Sequence, residues 1–445
     1  MKITKNSRGF TRRDFIRATS AVLAAAAAPG CVTNEATGRQ QLMLHSEESE
    51  VAFDKSVYPR LITESYGIYN DSVASKYISE LGARLAAASH RPTLPWQFKI
   101  VNNVEINAWA LRGGSIAMNR GILLFFKDEA ELAAVIGHEI GHVNARHGSE
   151  GDSQRLMAEA TLQIAASNMG GVDKNLAGMM LNISSFVAEA TLMKYSRVME
   201  FEADALGMEY CNKIGINPNG QVDVQAKIGE MEPKNQSLFR LLQRTHPTGV
   251  ERVGKAMALM NEKYSSFKDI PRNKERYMDN IANVRRNKKS IMALQDGWSQ
   301  LQQGQVPMAQ MTLVSVLKKA PEDYMALILL AEVQNGLEQY KDGLALSSAA
   351  LKLSPSEPLA ERVIGTSLFH LQQYDKAYQF LHDYDSKRPG IPVVFFFKGV
   401  CKDALGQREE AASIYFKYVT EIDNTSEMAA FAVGRLESWG LIATK

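Results

Sequence analysis

The chain has 445 residues, of which 45% are hydrophobic and 22% are charged, and its formal net charge is +2. A chain of this length has room for two or three domains with substantial hydrophobic cores. The nearly balanced charge gives no support for binding to nucleic acid, which usually requires a strongly basic surface.

Residues 1–30 are predicted to be a targeting segment rather than part of the fold. Residues 11–17 (TRRDFIR) resemble a twin-arginine export signal, and the alanine-rich apolar run after them is too short to span a bilayer. The segment holds six of the 51 basic and one of the 49 acidic residues, so its removal would change the net charge from +2 to −3.

The apolar run ends at residues 28–31 (APGC), which resemble a bacterial lipoprotein cleavage box in which alanine replaces the usual leucine. Cys31 would then be the acylated first residue of a periplasmic protein. The residue after Cys31 is Val32. An aspartate at this position would favour retention in the inner membrane, so Val32 favours sorting to the outer membrane. Cys211 and Cys401 fall in different predicted domains, so we expect no disulfide framework, although an oxidising compartment would permit one pair.

Residues 113–119 are a candidate platform for substrate. Two glycines followed by a short extended run can present unpaired backbone groups, to which an extended peptide would add as a further strand. An ordinary buried strand explains the same pattern equally well.

Residues 128–146 are predicted to form an amphipathic helix. Asp128 followed by Glu131 is a capping-box arrangement, and no proline interrupts the segment. The apolar stripe expected to face the core consists of Leu132, Ile136, Ile140 and Val143.

Within this helix, residues 138–142 (HEIGH) form an HExxH motif. His138 and His142 share one face of the helix, where two imidazoles can bind one zinc ion while Glu139 acts as a base. By itself the motif is also consistent with a surface or core pair of histidines. His147 lies off this face and is interpreted as a histidine at the end of the helix.

A third zinc ligand is predicted downstream, in residues 196–204 (SRVMEFEAD). Catalytic zinc needs three protein ligands and one open position. Glu200 can supply the third ligand, and Asp204, on the same helix face, can orient a ligand histidine. Glu202 points the other way. Alone, this segment would be an acidic, solvated turn of helix.

HExxH, the later SRxxExxAD and then residues 245–247 (THP) with Arg252 together resemble the CAAX-prenyl-protease and heat-shock-protease family of zinc metallopeptidases. The resemblance covers roughly residues 35–260 and includes residues 106–121, which resemble the edge strand of the family. It implies a mainly α, gluzincin-type fold of packed helices with a small sheet beside the zinc. No mature segment has the 18 or more apolar residues of the family's membrane members.

The resemblance also assigns roles to individual residues. It implies that one zinc ion is bound by His138, His142 and Glu200, and that Glu139 is the general base. His246 or Arg252 is the candidate donor to the oxyanion. In soluble periplasmic relatives the histidine of the THP motif can instead fill the open zinc position and keep the enzyme latent, so His246 is also a candidate fourth ligand, with a structural loop histidine as the alternative.

Residues 150–195 contain five methionines and a Gly-Gly pair, a composition that fits either a mobile lid over the cleft or plain helical core. Residues 266–289 are rich in basic residues and are predicted to be a solvated linker or a bracing helix.

The last part of the chain repeats every 34 residues. Three columns keep this period: Pro321, Pro355, Pro389; Ala309, Gly343, Ala377, Ala411; and Val306, Tyr340, Tyr374, Arg408. A 34-residue period is typical of tetratricopeptide repeats, in which stacked helix pairs form a superhelix with a concave binding surface. The repeats could also serve only to brace the protease.

The sequence therefore predicts a signal peptide over residues 1–30, a zinc metalloprotease domain over 31–265, a linker or bracing helix over 266–289 and an α-solenoid of repeats over 290–445. The combination resembles the BepA-type periplasmic branch of the family. That branch implies an endopeptidase, anchored by lipid to the outer membrane, that degrades misassembled outer-membrane proteins and works with the barrel-assembly machinery. The alternative is a chaperone or assembly scaffold with a latent zinc site, acting through its repeats.

Overall fold

The computed structural model describes residues 31–168, 195–231, 238–239, 242, 246 and 250–443, without the side chains of 158–168 and 231. The predicted targeting segment and most of the methionine-rich segment lie outside these residues. The described part is mainly helical, with two small sheets, and consists of a helical domain followed by helical repeats, as predicted.

The first domain starts with a two-stranded antiparallel sheet and continues with helices around a three-stranded sheet. Its elements are β1 (Cys31–Thr33), β2 (Gln40–Leu42), α1 (Glu47–Glu64), α2 (Ser72–Ala87), β3 (Gln97–Val101), β4 (Ala108–Ala110), β5 (Ser115–Asn119), a 3₁₀ helix (Arg120–Leu124), α3 (Glu129–Asn144), α4 (His147–Asn168), α5 (Arg197–Lys213), α6 (Gly220–Met231) and α7 (Val250–Lys263), with a further 3₁₀ turn at Ser265–Phe267.

Of the two interpretations of residues 113–119, the order of the strands supports the ordinary buried strand and not the substrate platform. The three-stranded sheet has the order β3-β5-β4, with β3 parallel and β4 antiparallel to β5. Strand β5, which contains most of residues 113–119, is therefore the central strand, and all five of its residues are buried. Both of its edges are paired, so it cannot accept a further strand. Among the described strands, the edge beside the HExxH helix belongs to β4.

Helix α3 begins and packs as the sequence predicts. The side chain of Asp128 accepts a hydrogen bond from the backbone N–H of Glu131, which satisfies one of the free donors at the start of the helix. The four residues of the predicted stripe are at most 3% exposed. The opposite face of the helix, with both motif histidines, faces helix α5.

Helices α3 and α5 pack with their backbones in contact. A Cβ atom on Gly141 would lie 2.8 Å from the carbonyl oxygen of Ala203, and one on Gly207 would lie 2.8 Å from the backbone nitrogen of His138. Any larger side chain here would push the helices apart. The glycines of the HExxH helix therefore bring the side chains of α5 within reach of the two histidines.

Two short helices, α8 (Lys274–Asn280) and α9 (Ala282–Arg286), brace the start of helix α3. Arg272 forms an ion pair with Asp128 at 2.7 Å, and Arg276 pairs with Glu129. Tyr277 is fully buried and donates a hydrogen bond to the carbonyl oxygen of Leu123. Carboxylates of the first domain therefore hold these two basic side chains.

Four helix pairs follow, with equivalent helices 34 residues apart. They are α10 (Lys288–Gln302) with α11 (Val306–Lys319), α12 (Tyr324–Gly336) with α13 (Tyr340–Leu353), α14 (Leu359–His370) with α15 (Tyr374–Lys387), and α16 (Pro392–Ala404) with α17 (Arg408–Lys417). A π-helical turn (Tyr418–Ile422) and α18 (Glu427–Ser438) close the array. The small-residue column lies at helix contacts: a Cβ on Gly343 would lie 2.2 Å from the side-chain oxygen of Asn335, and Ala377 is fully buried.

The repeats pack directly against the first domain. Arg120 and Asp323 form an ion pair at 2.8 Å, and both side chains are at most 7% exposed. Gln295 donates to the carbonyl oxygen of Val104 at 2.9 Å, and one hydrophobic core continues from the sheet into α10–α14. The two parts of the chain therefore share a buried interface.

No helix in the described ranges is long and apolar enough to cross a bilayer. Cys211 and Cys401 are both buried, and neither forms a disulfide in the structure.

Candidate metal centre

The side chains of the two histidines of the HExxH motif converge on the face of helix α3 that packs against helix α5. Their Nε2 atoms lie 3.0 Å apart, and the residues are 6% and 2% exposed. Burial lowers the pKa of His142 well below its usual range, so its imidazole is neutral and can offer a lone pair to a cation.

Glu200 reaches the same point from helix α5. Its Oε1 atom lies 3.4 Å from Nε2 of His142, and its Oε2 atom lies 3.7 Å from Nε2 of His138. Burial by itself raises the pKa of Glu200, but the charges of His246 and Arg252 outweigh it, and the pKa lies well below the usual range. The carboxylate is therefore ionised although it is fully buried.

His246 completes the cluster. Its Nδ1 atom lies 3.0 Å from Oε1 of Glu200 and 3.3 Å from Nε2 of His138. One ligand atom from each of His138, His142, Glu200 and His246 lies within 4.8 Å of every other, and all four residues are buried. Three imidazoles and one carboxylate converging in this way could hold a metal ion.

Glu139 lies beside this cluster without joining it. It is 3% exposed, and its Oε1 atom is 3.9 Å from Nε2 of His246. Burial raises the pKa of Glu139, and the nearby histidines oppose that rise in part. A buried carboxylate with a raised pKa is suited to taking up and returning a proton.

Asp204 and Arg252 contact residues of the cluster and hold them in position. Oδ1 of Asp204 lies 2.8 Å from Nδ1 of His138, which leaves Nε2 of that ring facing the other ligands. The guanidinium of Arg252 binds both oxygens of Asp204, at 2.7 and 2.9 Å, and Oε2 of Glu200 at 2.6 Å. The structure thus places Arg252 against two carboxylates.

Three residues near the site were missed or misplaced by the sequence analysis. The ring of Tyr195 stacks on His142 with centroids 3.9 Å apart. His147, interpreted as a helix-end histidine, has its Nδ1 atom 2.9 Å from Nδ1 of His142, and Glu202 contacts His147. His147 was misplaced because helix α3 ends at Asn144, so that the helical periodicity does not extend to it.

Arg146 has a φ of 55°. This left-handed conformation interrupts the helix, and a new helix starts at His147. On helix α5, Glu202 points away from Glu200, as predicted. It nevertheless contacts His147, whose Nε2 atom lies 3.0 Å from Oε2 of Glu202. A helical wheel carries no signal for either contact.

Comparison with known proteins agrees with this geometry. The family described as "Peptidase family M48" matches residues 72–259, which include all four residues of the cluster. The chain is 27% identical over 210 residues to the beta-barrel assembly-enhancing protease of Yersinia pestis, a match that covers 46% of this chain and 43% of that protein. The chain therefore spans less than half the length of this relative.

Metalloprotease YcaL of Escherichia coli (strain K12) is 30% identical over 186 residues, which cover 41% of this chain and 69% of that protein. Among solved structures, MamA from Desulfovibrio magneticus RS-1 is 18% identical, with a TM-score of 0.30, and the match covers 34% of this chain and 94% of that one. The matched segment, with its HExxH helix and the buried Glu200, shows that the chain belongs to peptidase family M48.

Proposed function

We propose that the protein is a zinc-dependent endopeptidase of the bacterial cell envelope. The observation that carries this proposal is the convergence of His138, His142 and Glu200, from two helices, on one buried point beside Glu139. Peptidase family M48 supplies the reaction class.

The residues present fit a zinc ion. Catalytic zinc sites combine three protein ligands from histidine and carboxylate side chains with one further position. Both Nε2 atoms are aimed at the cluster, because Asp204 lies against Nδ1 of His138 and His147 lies against Nδ1 of His142. Arg252 holds the Oε2 atom of Glu200, and the Oε1 atom lies 3.4 Å from Nε2 of His142, so the carboxylate can bind a cation beside the imidazoles.

When bound, zinc would polarise a peptide carbonyl and make water a stronger nucleophile at neutral pH. Glu139 would accept the proton of the attacking water and pass it to the departing amine. Asp204 would orient His138, and Arg252 would hold the carboxylates of Asp204 and Glu200 in place. We assign Arg252 this positioning role instead of that of oxyanion donor, since its guanidinium is bound by both carboxylates.

We further propose that His246 is the fourth ligand in the arrangement seen here and holds the enzyme latent. Its Nδ1 atom is within 3.3 Å of both Glu200 and His138, where a substrate carbonyl or a water would otherwise bind. Activity then requires His246 to leave the cluster. The competing role, donation to the oxyanion, would require the same side chain to point away from Glu200.

An extended substrate would bind along the edge of β4. This strand pairs with β5 on one side, and among the described strands its other side has no neighbour. Main-chain hydrogen bonds to such an edge do not depend on the substrate's sequence, which suits unfolded polypeptides. In accordance with the name of the Yersinia pestis relative, we propose misfolded or misassembled outer-membrane proteins as substrates and the barrel-assembly machinery as a partner of the repeats.

Removal of the metal tests the reaction. Purified protein is expected to digest casein, to lose this activity on treatment with a zinc chelator and to regain it when zinc is added back. The matched control is the same chelator already saturated with zinc, which should have no effect. Digestion that continues at an unchanged rate in metal-free protein would rule out the proposed chemistry.

We also propose that Cys31 carries a lipid anchor to the outer membrane. In the structure Cys31 is exposed at the start of β1, away from the core. Replacement of Cys31 with alanine is expected to move the protein from the membrane fraction to the soluble periplasmic fraction, with Cys211→Ser as the control that stays bound to membranes. Unchanged membrane association of Cys31→Ala would refute the anchor.

A second function, that of a chaperone or assembly scaffold, is favoured by one observation: His246 lies in the cluster with His138, His142 and Glu200, where it would occupy the position that a peptidase needs open. In that case the repeats would be the working surface and the metal would be structural. A Glu139→Gln protein that still supports outer-membrane assembly in cells, although it cleaves nothing, would favour this function over proteolysis.

A further inference from the structure

A chain of three side chains, His147, Glu202 and Arg39, extends from the Nδ1 atom of His142. Its Nδ1 atom lies 2.9 Å from Nδ1 of His147, whose Nε2 atom lies 3.0 Å from Oε2 of Glu202. Oε1 of Glu202 pairs with Nε of Arg39 at 2.9 Å. His147 has no exposed surface, so the contacts of its two ring nitrogens are made within the protein.

The chemistry of these atoms fixes the direction of every proton in the chain. Two Nδ1 atoms that face each other need one hydrogen between them. If His142 gives its Nε2 lone pair to a cation, its own proton must sit on Nδ1 and point at His147. His147 then accepts at Nδ1 and carries its proton on Nε2, where Glu202 accepts it.

The two histidines of the HExxH motif are thus supported differently. Nδ1 of His138 meets the carboxylate of Asp204 directly at 2.8 Å, whereas Nδ1 of His142 is connected to a carboxylate through a second imidazole. The second chain ends at Arg39, which lies in the hairpin formed by β1 and β2 and directly precedes β2. Arg39 also forms an ion pair with Glu150.

The same hairpin is fastened to the end of helix α3. Asn34 donates to the carbonyl oxygen of Asn144 at 3.1 Å, and Gln41 donates to that of Ala145 at 2.8 Å. The hairpin, the end of the HExxH helix and the start of helix α4 therefore form one polar unit around His147.

We propose that His147 and Glu202 are positioning residues for zinc: together they fix the tautomer and the ring orientation of His142, and Arg39 holds Glu202 in place. This inference rests on the proposed function, because it needs a cation at Nε2 of His142. Partners of this kind in other metal sites typically change metal affinity by about 10–100-fold when they are removed.

The test is zinc affinity, measured by competition with a chromophoric chelator on the full chain. His147→Phe fills the space but offers no nitrogen, and it is expected to raise the Kd for zinc by about 10–100-fold. His147→Asn keeps an acceptor near the position of Nδ1 and should recover part of this loss. Glu202→Gln should raise the Kd less than His147→Phe. The matched control is Glu209→Gln, which removes the same charge from the same helix away from the site.

A second readout separates positioning from general stability. Cobalt substituted for zinc reports ligand geometry through its visible absorption, which is expected to change in His147→Phe and Glu202→Gln and to stay the same in Glu209→Gln. Wild-type Kd values and spectra in His147→Phe and Glu202→Gln would overturn the inference.

If His147→Phe does not fold, the same comparison with His147→Asn and Glu202→Gln decides. A wild-type chain that binds no zinc would instead overturn the proposed function, and this inference with it.

Discussion

Replacement of Glu139 with glutamine is expected to lower kcat for digestion of an unfolded protein by about 10²–10⁴-fold, the usual contribution of a positioned acid–base group. Glutamine has nearly the same shape, but it cannot accept the proton of water or return it to the leaving amine. Glu139 is not among the four clustered ligands, so the zinc content should stay at the wild-type level. The measurement is a protease assay with elemental analysis of the same sample.

The matched control for this variant is Glu131→Gln. Glu131 lies on helix α3, as Glu139 does, and is also buried. Its partner is Lys227, at the start of the helix and away from the cluster. It should affect stability more than turnover per folded molecule. Proteolysis at the wild-type rate in Glu139→Gln would remove Glu139 from the mechanism, and a loss of zinc would show that it belongs to the ligand set.

Replacement of His246 with alanine is expected to raise basal peptidase activity by roughly 10- to 100-fold. We take the stabilisation of the latched arrangement to be that of one contact between an imidazole and a charged group, about 1.5–3 kcal/mol, and each 1.4 kcal/mol corresponds to a factor of ten. Removal of that contact would increase the fraction of molecules whose fourth zinc position is open by this factor.

The direction in which His246→Ala changes peptidase activity distinguishes the two proposed roles of His246. If it donates to the oxyanion, His246→Ala should lower kcat by about 10²–10³-fold. The control is His382→Ala, which removes an exposed histidine of the repeats and should leave activity unchanged. Unchanged activity in His246→Ala would contradict both roles and leave His246 as a structural histidine.

The parts of the site that depend on local sequence could be predicted. Helix α3 starts at Asp128 because a capping side chain and an apolar stripe act within a few residues of each other. The repeats could be predicted because helix contacts at Gly343 and Ala377 leave no space for larger side chains, which imposes a visible period on the sequence.

Contacts that depend on where a helix ends, or on which strands pair, could not be predicted. His147 reaches His142 because the first helix ends before the left-handed residue Arg146 and a new helix starts at His147. Strand β5 is central, and the edge beside the HExxH helix belongs to β4, because β3 pairs with the other side of β5 in a parallel pairing that sequence alternation does not show. The position of Arg252 against two carboxylates likewise depends on the packing of α7 against α5.

The most direct test of the central claim is a crystal structure of the zinc-loaded protein with anomalous data collected at the zinc edge. We expect one strong anomalous peak per chain, bonded to Nε2 of His138, Nε2 of His142 and a carboxylate oxygen of Glu200. A peak bound by other residues, or no peak in fully zinc-loaded crystals, would contradict the account.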